Sequence, residues 1–327
     1  MVKAAVNGMG RIGRAVFKIL LEQEGVEITA VNDPISAENL AYLLRYDSVY
    51  GRYEKEVSAD NDYITVSGRP VKFLSEKDPE KLPWKELGAD VVFECSGFFT
   101  TQEGMGKHLK AGASKVLLSA PSKSKETPTV VHGVNSVDKN VKAYSTASCT
   151  TNCAAPVMEI MGRRIGVEKA LMTTVHAYTS SQSAVDSPSK KLRRGRAAAV
   201  NFVPTSTGAA KAAAQTLPQF KGLFDGVAVR GPVPCGSITD IVMAVSRDTT
   251  AEEINSIFKE ESETDRYKGI VGIADDDIVS SDILRDPRAS IIDPSMTKVT
   301  GGSLVKVMSW YDNEWGYAAQ MVKEGLK

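Results

Sequence analysis

Short apolar segments alternate with helical patterns over the first 120 residues of the chain. Continuous apolar character predicts buried strands at Val2–Val6, Ile28–Asn32, Val91–Cys95 and Val116–Ser119. Apolar residues recur at helical spacing in Arg14–Glu22, Asn39–Arg45 and Gln102–Ala111, and Ile64–Val66 with Val71–Phe73 suits a hairpin. This alternation predicts an α/β domain with a doubly wound parallel sheet, covered by helices on both faces.

The pattern changes near Cys149. A helix is predicted at Asn152–Gly162, a strand at Ala170–His176 and a polar loop from Ala177 to about Val200. Longer alternating strands follow at Gly226–Arg230, Thr239–Ser246 and Leu304–Trp310. We therefore expect an α+β domain at 149–310 with a mostly antiparallel sheet. The first domain is expected at 1–148, and the C-terminal segment 311–327 is expected as a helix that packs back on it.

Composition and charge exclude several classes of protein. The 327 residues carry 40 Lys and Arg against 40 Asp and Glu, so bulk charge does not favour a polyanion partner. The start of the chain lacks the features of a signal peptide, and no apolar run is long enough to span a bilayer, so a cytoplasmic location is expected. Only two of the four cysteines lie close together, which argues against a zinc site; no metal is expected.

A glycine-rich loop follows the first predicted strand and opens the first predicted helix. Gly8 allows a tight turn, Gly10 lets backbone N–H groups approach a pyrophosphate, and Gly13 allows close packing of helix on strand. Asp33 ends the second strand, where a carboxylate can bind both ribose hydroxyls and repels a 2′-phosphate. The first domain is therefore predicted to be a Rossmann-type domain that binds NAD in preference to NADP. The alternative is a structural turn with a helix-capping Asp.

Cys149 lies close to the predicted start of a helix, in the segment SCTTNC at 148–153. Unpaired N–H groups and the helix dipole favour an anion there, so we expect a lowered thiol pKa and a nucleophilic sulfur. Cys153 is one turn further on, among apolar residues, and is expected to be buried filler rather than a redox partner.

A nucleophilic cysteine needs a base, and the chain has three histidines. His108 is expected on an exposed helix face and His132 in a structural position at a strand end. His176 ends an apolar strand just before the polar loop, which makes it the best candidate for the base of Cys149. Sequence alone does not bring the two side chains together.

Several segments are suited to anions. Thr179 lies three residues after His176, and Thr207 and Gly208 precede a predicted helix at Ala209–Thr216. Arg196 ends the basic stretch of the polar loop, and Arg230 ends a strand, where a guanidinium can hold a phosphate. The basic stretch lacks interleaved aromatic residues, so nucleic acid is not expected as the main partner.

These residues resemble one family over essentially the whole chain, the phosphorylating glyceraldehyde-3-phosphate dehydrogenases. The stretches that carry the resemblance include NGMGRIGR at 7–14, ASCTTNCAAP at 147–156, TVHAYTSSQ at 174–182, PTSTGAAKA at 204–212 and SWYDNEWGY at 309–317. A departure is Cys235, where the family usually has Asn; no catalytic group is missing.

The resemblance implies roles for particular positions. Cys149 would be the nucleophile and His176 its base. The substrate phosphate and inorganic phosphate would be bound by a set of hydroxyl groups, backbone groups and arginines: Ser148, Thr150, Thr179, Arg196, Thr207, Gly208 and Arg230. Beside Gly8, Gly10, Gly13 and Asp33, the cofactor would contact Arg11, Ile12, Lys77, Ser119 and Asn313, the last of which would hold the nicotinamide amide.

The activity implied is oxidation and phosphorylation of glyceraldehyde 3-phosphate to 1,3-bisphosphoglycerate with NAD, through a Cys149 hemithioacetal and thioester. The family forms homotetramers, in which the loop 177–200 reaches the cofactor of a neighbouring subunit. Two alternatives stay open at this point. One is erythrose-4-phosphate dehydrogenase, which shares the framework, and the other is a non-enzymatic NAD-binding scaffold or sensor.

Overall fold

The computed structural model describes all 327 residues, and contacts within the chain divide it into two compact units. The first unit comprises residues 1–130, 137–147 and 321–327. The second comprises residues 131–136 and 148–320. None of the helices combines the length and apolar character needed to cross a bilayer.

The first unit is built on one eight-stranded sheet. The strands of this unit are β1 (Val2–Asn7), β2 (Val26–Asn32), β3 (Tyr46–Asp47), β4 (Gly51–Arg52), β5 (Val57–Ala59), β6 (Tyr63–Val66), β7 (Arg69–Leu74), β8 (Val91–Glu94), β9 (Lys115–Leu118) and β10 (Ala143–Ser145). Strands β3 and β4 form a separate two-stranded sheet, and the other strands form the eight-stranded sheet. Its helices are α1 (Arg11–Leu20), α2 (Ala37–Arg45), α3 (Trp84–Leu87) and α4 (Gln102–Lys110).

The strand order is β10-β9-β8-β1-β2-β7-β6-β5, and every pair from β10 to β7 is parallel. The predicted doubly wound sheet is thus confirmed, with β5 and β6 added antiparallel at one edge. The predicted hairpin is β6–β7, and it turns at Ser67 and Gly68, both with positive φ. β1 and β8 lie in the middle of the sheet with fully buried apolar side chains, so their carboxyl ends are held rigidly.

The second unit contains a mostly antiparallel sheet, as predicted. Its strands are β11 (Val167–Ala177), β12 (Val203–Ser206), β13 (Phe224–Gly231), β14 (Ser237–Val245), β15 (Val271–Ile273), β16 (Ser290–Ile292), β17 (Lys298–Thr300) and β18 (Leu304–Tyr311). Its helices are α5 (Cys149–Arg164), α6 (Ala209–Thr216), α7 (Ala251–Ser262) and α8 (Trp315–Gly325). The strand order is β12-β13-β11-β14-β18-β16-β15, in which only β11–β13 and β15–β16 are parallel.

Helix α5 packs across β11, β14, β16 and β18, and its residues 150–161 are all buried. It begins three residues earlier than the sequence pattern predicted. Ser148 is the reason, because its hydroxyl accepts a hydrogen bond from the N–H of Thr151 at 3.2 Å and so caps the helix. This start places Cys149 in the first turn.

Strand β11 alternates between a buried face and an exposed face. Thr174 and His176 lie on the buried face, toward α5. Leu171 and Val175 lie on the other face and are 68% and 41% exposed. The alternation thus sends the imidazole inward at the strand end and leaves an uncovered apolar surface outside.

The C-terminal helix α8 begins at Trp315 rather than at 311, because β18 continues to Tyr311. Its end belongs to the first unit with residues 326–327. Lys115 in β9 donates to the carbonyl of Gly325 at 3.1 Å. A Cβ at Gly325 would lie 2.6 Å from the Phe93 ring, so this end of α8 approaches β8 very closely.

Candidate active site

The structure brings together the two residues on which the predicted chemistry depends. Cys149 is at the start of α5 and His176 is near the end of β11. The Sγ atom of Cys149 lies 3.3 Å from Nε2 of His176, within hydrogen-bond reach. His176 is only 4% exposed, so the pair is largely removed from water.

The hydrogen bonds of the imidazole fix its tautomer. Nδ1 of His176 lies 2.7 Å from the carbonyl oxygen of Ala177, which can only accept. Nδ1 therefore carries the hydrogen, and Nε2 faces the sulfur as an acceptor. Arg230 is 2.9 Å from the same Nδ1, but its Nη1 also lies 3.0 Å from the Ala177 carbonyl, and we assign its hydrogen bond to that oxygen.

Burial governs the protonation of the pair. It lowers the pKa of His176 to about 3, and the charge of Arg230 contributes to the same shift. It also raises the pKa of the Cys149 thiol, since protein atoms surround the sulfur; Arg230 and hydrogen bonds from Thr150 offset part of this rise. The expectation of a lowered thiol pKa is therefore wrong, because desolvation outweighs the helix start. The resting pair is a neutral thiol beside a neutral imidazole.

Tyr311 supports both members of the pair, and sequence reasoning gave it no role. Its hydroxyl lies 2.8 Å from the hydroxyls of both Thr150 and Thr174. Its ring meets the His176 ring edge-on, with centroids 5.9 Å apart. Tyr311 thus fixes the position of the start of α5 relative to Thr174 of β11. The sequence feature that could have pointed to Tyr311 was its position at the beginning of the YDNEWGY segment.

Arg230 pairs with His176 across the β11–β13 ladder, which brings its guanidinium beside the imidazole. Its Nε atom is buried and has no hydrogen-bond partner. A buried guanidinium with a free donor is suited to an anionic ligand, because the anion supplies the missing acceptor. The predicted phosphate-binding role of Arg230 fits this geometry.

The structure separates two arginines that are close in sequence. Arg196 forms an ion pair with Asp186 at 2.8 Å, and both side chains are about 60% exposed. Arg194, which the sequence analysis did not single out, donates to Ser181 at 3.3 Å. Ser181 is bonded in turn to Thr179 at 2.9 Å, and the charge of Arg194 contributes to lowering the pKa of His176. The geometry favours Arg194 over Arg196 as the second arginine of the site.

The other predicted phosphate residues lie at two helix starts. Ser148 and Thr150 belong to the first turn of α5, where their hydroxyls bond to Thr151 and Tyr311. Gly208 precedes α6 with no side chain capping that helix. The Thr207 hydroxyl accepts from the N–H of Ala209 at 3.1 Å. Apart from Ala209, the backbone donors of this first turn have no side-chain cap and are suited to an anion.

Asn313 follows β18, and its side-chain oxygen is already used within the protein. It accepts from the N–H of Gly236 at 3.1 Å and from the Ser237 hydroxyl at 2.8 Å. The NH₂ group is thus the end of the side chain with donors to offer a ligand. Contact of this group with a nicotinamide amide stays a prediction.

In the first unit, a cavity of about 540 Å³ opens at the carboxyl ends of the parallel strands. Its lining includes predicted residues and others that were not predicted: Asn7, Gly8, Gly10, Asn32, Asp33, Pro34, Glu76, Lys77, Cys95, Ser96, Phe98 and Phe99. This edge of a doubly wound sheet is where ligands bind.

The glycine loop fits a dinucleotide. Gly8 has φ +90°, and a Cβ on Gly13 would lie 1.8 Å from the Gly8 carbonyl oxygen, so turn and packing both require glycine. A Cβ on Gly10 would point into open space beside the cavity, and no side chain caps α1. The first turn of α1, which includes Arg11, Ile12 and Gly13, is the positive end of that helix and is suited to a pyrophosphate.

Three further cofactor residues are placed as follows. Asp33 accepts from the N–H of Met9 at 2.6 Å and lines the cavity, which positions its carboxylate beside the loop. Lys77 is exposed at the cavity rim. Ser119 does not line the cavity; it follows β9 and hydrogen-bonds to Cys95 behind the lining.

Two predictions about residues outside the site have opposite outcomes. Cys153 is fully buried among the hydroxyls of Thr239, Ser290 and Ser309, as expected. His108 is also fully buried, so the prediction that it is exposed is wrong. α4 turns it inward, where its ring nitrogens bond to Trp84 and Glu94, each at 2.9 Å.

Comparison with known proteins agrees with this arrangement. Residues 2–102 match the family model "Glyceraldehyde 3-phosphate dehydrogenase, NAD binding domain", and residues 148–313 match the model of the C-terminal domain of that family. The chain is 49% identical to glyceraldehyde-3-phosphate dehydrogenase of Streptomyces coelicolor over 326 residues, which cover 98% of this chain and 96% of that protein.

Two other relatives give the same result. The enzyme of Borreliella burgdorferi is 48% identical over 98% of each chain, and glyceraldehyde-3-phosphate dehydrogenase 1 of Bacillus subtilis is 46% identical over 99% of each. With a cysteine–histidine pair in the second unit and a dinucleotide-type cavity in the first, this chain belongs to the glyceraldehyde-3-phosphate dehydrogenase family.

Proposed function

We propose that the chain oxidises and phosphorylates glyceraldehyde 3-phosphate to 1,3-bisphosphoglycerate, with NAD and inorganic phosphate. The observation that carries the proposal is the 3.3 Å approach of the Cys149 sulfur to Nε2 of His176, beside the Arg230 guanidinium. This proximity supports a nucleophile, a base and an anion-binding group that would act together on a carbonyl carbon.

The first step forms a bond between the Cys149 sulfur and the aldehyde carbon. Nε2 of His176 is free to accept, so it takes the thiol proton as the sulfur attacks. The proton then passes to the former carbonyl oxygen, which gives a hemithioacetal. Backbone N–H groups at the start of α5 are the donors for the oxygen while it carries negative charge.

The oxidation step requires removal of the hydroxyl proton of the hemithioacetal. His176 returns to its neutral form after the first step, so its Nε2 can take this proton, and a thioester on Cys149 results. NAD, when bound, supplies the acceptor for the hydride that leaves the same carbon. The burial that lowers the pKa of His176 also favours prompt release of the proton after each transfer.

In the last step, an oxygen of inorganic phosphate attacks the thioester carbon and the Cys149 sulfur leaves. Arg230, Thr179, Thr207 and the free donors before α6 would hold the phosphate groups. We assign the second arginine of these sites to Arg194, since Arg196 is held in an exposed ion pair with Asp186. Phosphorolysis retains in the product the free energy that hydrolysis would release.

The cofactor is proposed to lie along the glycine loop of the first unit. The helix start after Gly10 would take the pyrophosphate, and the Asp33 carboxylate would accept from the ribose hydroxyls. Contacts to the cofactor would also come from Arg11 and Ile12 at the start of α1 and from Lys77 in the cavity lining. Ser119 would act through its hydrogen bond to Cys95. Asn313 would offer its NH₂ group to the nicotinamide amide.

We also propose a homotetramer located in the cytoplasm. The supporting observation is the uncovered outer face of the second sheet. Leu171, Val227 and Leu304 lie on β11, β13 and β18, and they are 68%, 53% and 49% exposed. The three strands belong to one sheet, in which β11 pairs with β13 and β14 lies between β11 and β18. Exposed apolar groups on one face of a sheet are of the kind that subunits bury.

An assay of NADH formation tests the proposed function. We expect formation from glyceraldehyde 3-phosphate that depends on inorganic phosphate, and slower formation from erythrose 4-phosphate. Cys149→Ser should reduce turnover to background, because a serine hydroxyl is a far weaker nucleophile. His176→Asn should lower the rate by about 10²–10⁴-fold. Full turnover by Cys149→Ser would reject the covalent route, and phosphate-independent or absent NADH formation would reject the function.

The two arginines offer a matched comparison. Arg194→Gln should lower kcat/KM for glyceraldehyde 3-phosphate by about 10–100-fold, since charged hydrogen bonds to phosphate are lost. Arg196→Gln should leave it nearly unchanged, because an exposed ion pair contributes little. Steady-state kinetics at fixed NAD and phosphate measure both. The reverse order of effects would restore Arg196 to the site.

The nucleotide preference depends on Asp33. We expect Asp33→Ala to weaken NAD binding and to raise the affinity for NADP relative to NAD, because the ribose acceptor and the charge repelling a 2′-phosphate are both removed. Titration calorimetry with the two nucleotides measures the ratio. An unchanged ratio would show that Asp33 does not read the ribose.

Assembly can be measured by light scattering. We expect a mass four times that of one chain, and a smaller species for Leu171→Arg, because a charge would be buried on the apolar face. Glu24→Arg places the same side chain on an exposed loop of the first unit and serves as the control. A wild-type monomer would contradict the proposed tetramer.

A further inference from the structure

A fully buried carboxylate lies directly behind the cavity of the first unit. Glu94 ends β8 and is 0% exposed, yet no arginine or lysine pairs with it. Its Oε2 atom accepts from the Asn7 amide and lies 2.9 Å from Nε2 of His108. Its Oε1 atom accepts from the N–H of Ser96 at 2.7 Å and from the Ser96 hydroxyl.

The hydrogen bond from Trp84 determines which ring nitrogen of His108 carries the hydrogen. The indole N–H can only donate, and it lies 2.9 Å from Nδ1 of His108, so Nδ1 is an acceptor without a hydrogen. Nε2 must then carry the hydrogen that is donated to Glu94. His108 is therefore a neutral donor, and Glu94 is an anion stabilised by hydrogen bonds rather than by a counter-charge.

Four donor groups, from Asn7, Ser96 and His108, surround this one carboxylate. Isolated buried charges are costly, and truncating one partner of such a network leaves others unsatisfied. A carboxylate kept in this position without a counter-ion is expected to have a use beyond packing.

The partners of Glu94 form the wall of the cavity. Asn7 and Ser96 both line it. Asn7 also accepts from Asn32 at 2.7 Å, and Asn32 exchanges hydrogen bonds with the backbone of Glu76, both at 2.9 Å. One carboxylate thus connects the loop after β1, the segment after β8 and, through Asn32, the segment after β7.

The same contacts determine how closely the glycine loop approaches β8. A Cβ on Gly8 would lie 2.4 Å from the Ser96 backbone, so Gly8 packs directly on the residue that Glu94 holds. Movement of Ser96 would therefore displace Gly8 and the start of α1 that follows Gly10. The position of the pyrophosphate donors depends on the Glu94–Ser96 bonds.

We propose that Glu94 is a positioning residue for dinucleotide binding, held in its charged form by the neutral His108–Trp84 pair and acting through Asn7 and Ser96. The proposal rests on the proposed function, because it takes the cavity to be the NAD site. Glu94 does not touch the cavity itself; it sets the geometry of the residues that do.

The test is the affinity for NAD of Glu94→Gln, measured by titration calorimetry on the full chain. An amide of the same shape presents a donor to groups that are themselves donors, so we expect the Kd to rise by at least about tenfold. Glu103→Gln makes the same chemical change at an exposed position on α4 and should not change the Kd. A Kd for Glu94→Gln within twofold of the wild-type value would overturn the proposal.

A readout in the second unit separates positioning from general loss of structure. The rate at which iodoacetamide alkylates Cys149 without nucleotide should be the same in Glu94→Gln and in the wild type, and the circular dichroism spectrum should be unchanged. A parallel loss of alkylation and NAD binding would show a merely structural role and overturn the proposal.

His108 provides a second pair of variants if Glu94→Gln does not fold. A glutamine side chain can accept from Trp84 and donate to Glu94, whereas leucine can do neither, so NAD binding should be retained in His108→Gln and weakened in His108→Leu. Equal affinities in the two would overturn the proposal. A wild-type chain that does not bind NAD would instead overturn the proposed function.

Discussion

The hydrogen bond from the His176 imidazole to the Ala177 carbonyl is the contact on which the chemistry of this protein depends. It fixes the hydrogen on Nδ1 and leaves Nε2 to face the Cys149 sulfur, 3.3 Å away. A rotated or tautomerised ring would present a donor to the thiol and could not accept its proton. The edge-on contact of Tyr311 with the ring keeps this orientation.

Burial determines the protonation states of Cys149 and His176, and it explains why the expected lowering of the thiol pKa was wrong. A helix start favours a thiolate, but partial burial of Cys149 among protein atoms removes hydration from the sulfur, and this loss acts more strongly on the anion. The same burial keeps His176 neutral. A neutral pair that ionises only when the sulfur attacks avoids the cost of a resident buried ion pair. The Arg230 guanidinium places a positive charge beside this neutral pair.

The two units place polar groups in the same way, at the ends of strands whose middles are apolar and rigid. In the second unit this gives His176 and Arg230 on neighbouring strands. In the first unit it gives Asn7 and Glu94 on β1 and β8, joined by a hydrogen bond beneath the cavity wall. Apolar strand interiors hold the backbone, so that the polar termini keep fixed positions without needing contacts to ligand.

Sequence by itself determined the two types of sheet, the glycine loop and a helix start close to Cys149, because these follow from periodicity and from local backbone chemistry. Only the tertiary structure decided that Arg194 rather than Arg196 lies near the imidazole and that His108 is buried against Glu94. Both depend on which distant segment a side chain meets, and spacing along one helix or loop carries no information about that partner. The pKa of Cys149 also depends on the tertiary structure, since it reflects the protein atoms that replace water around the sulfur.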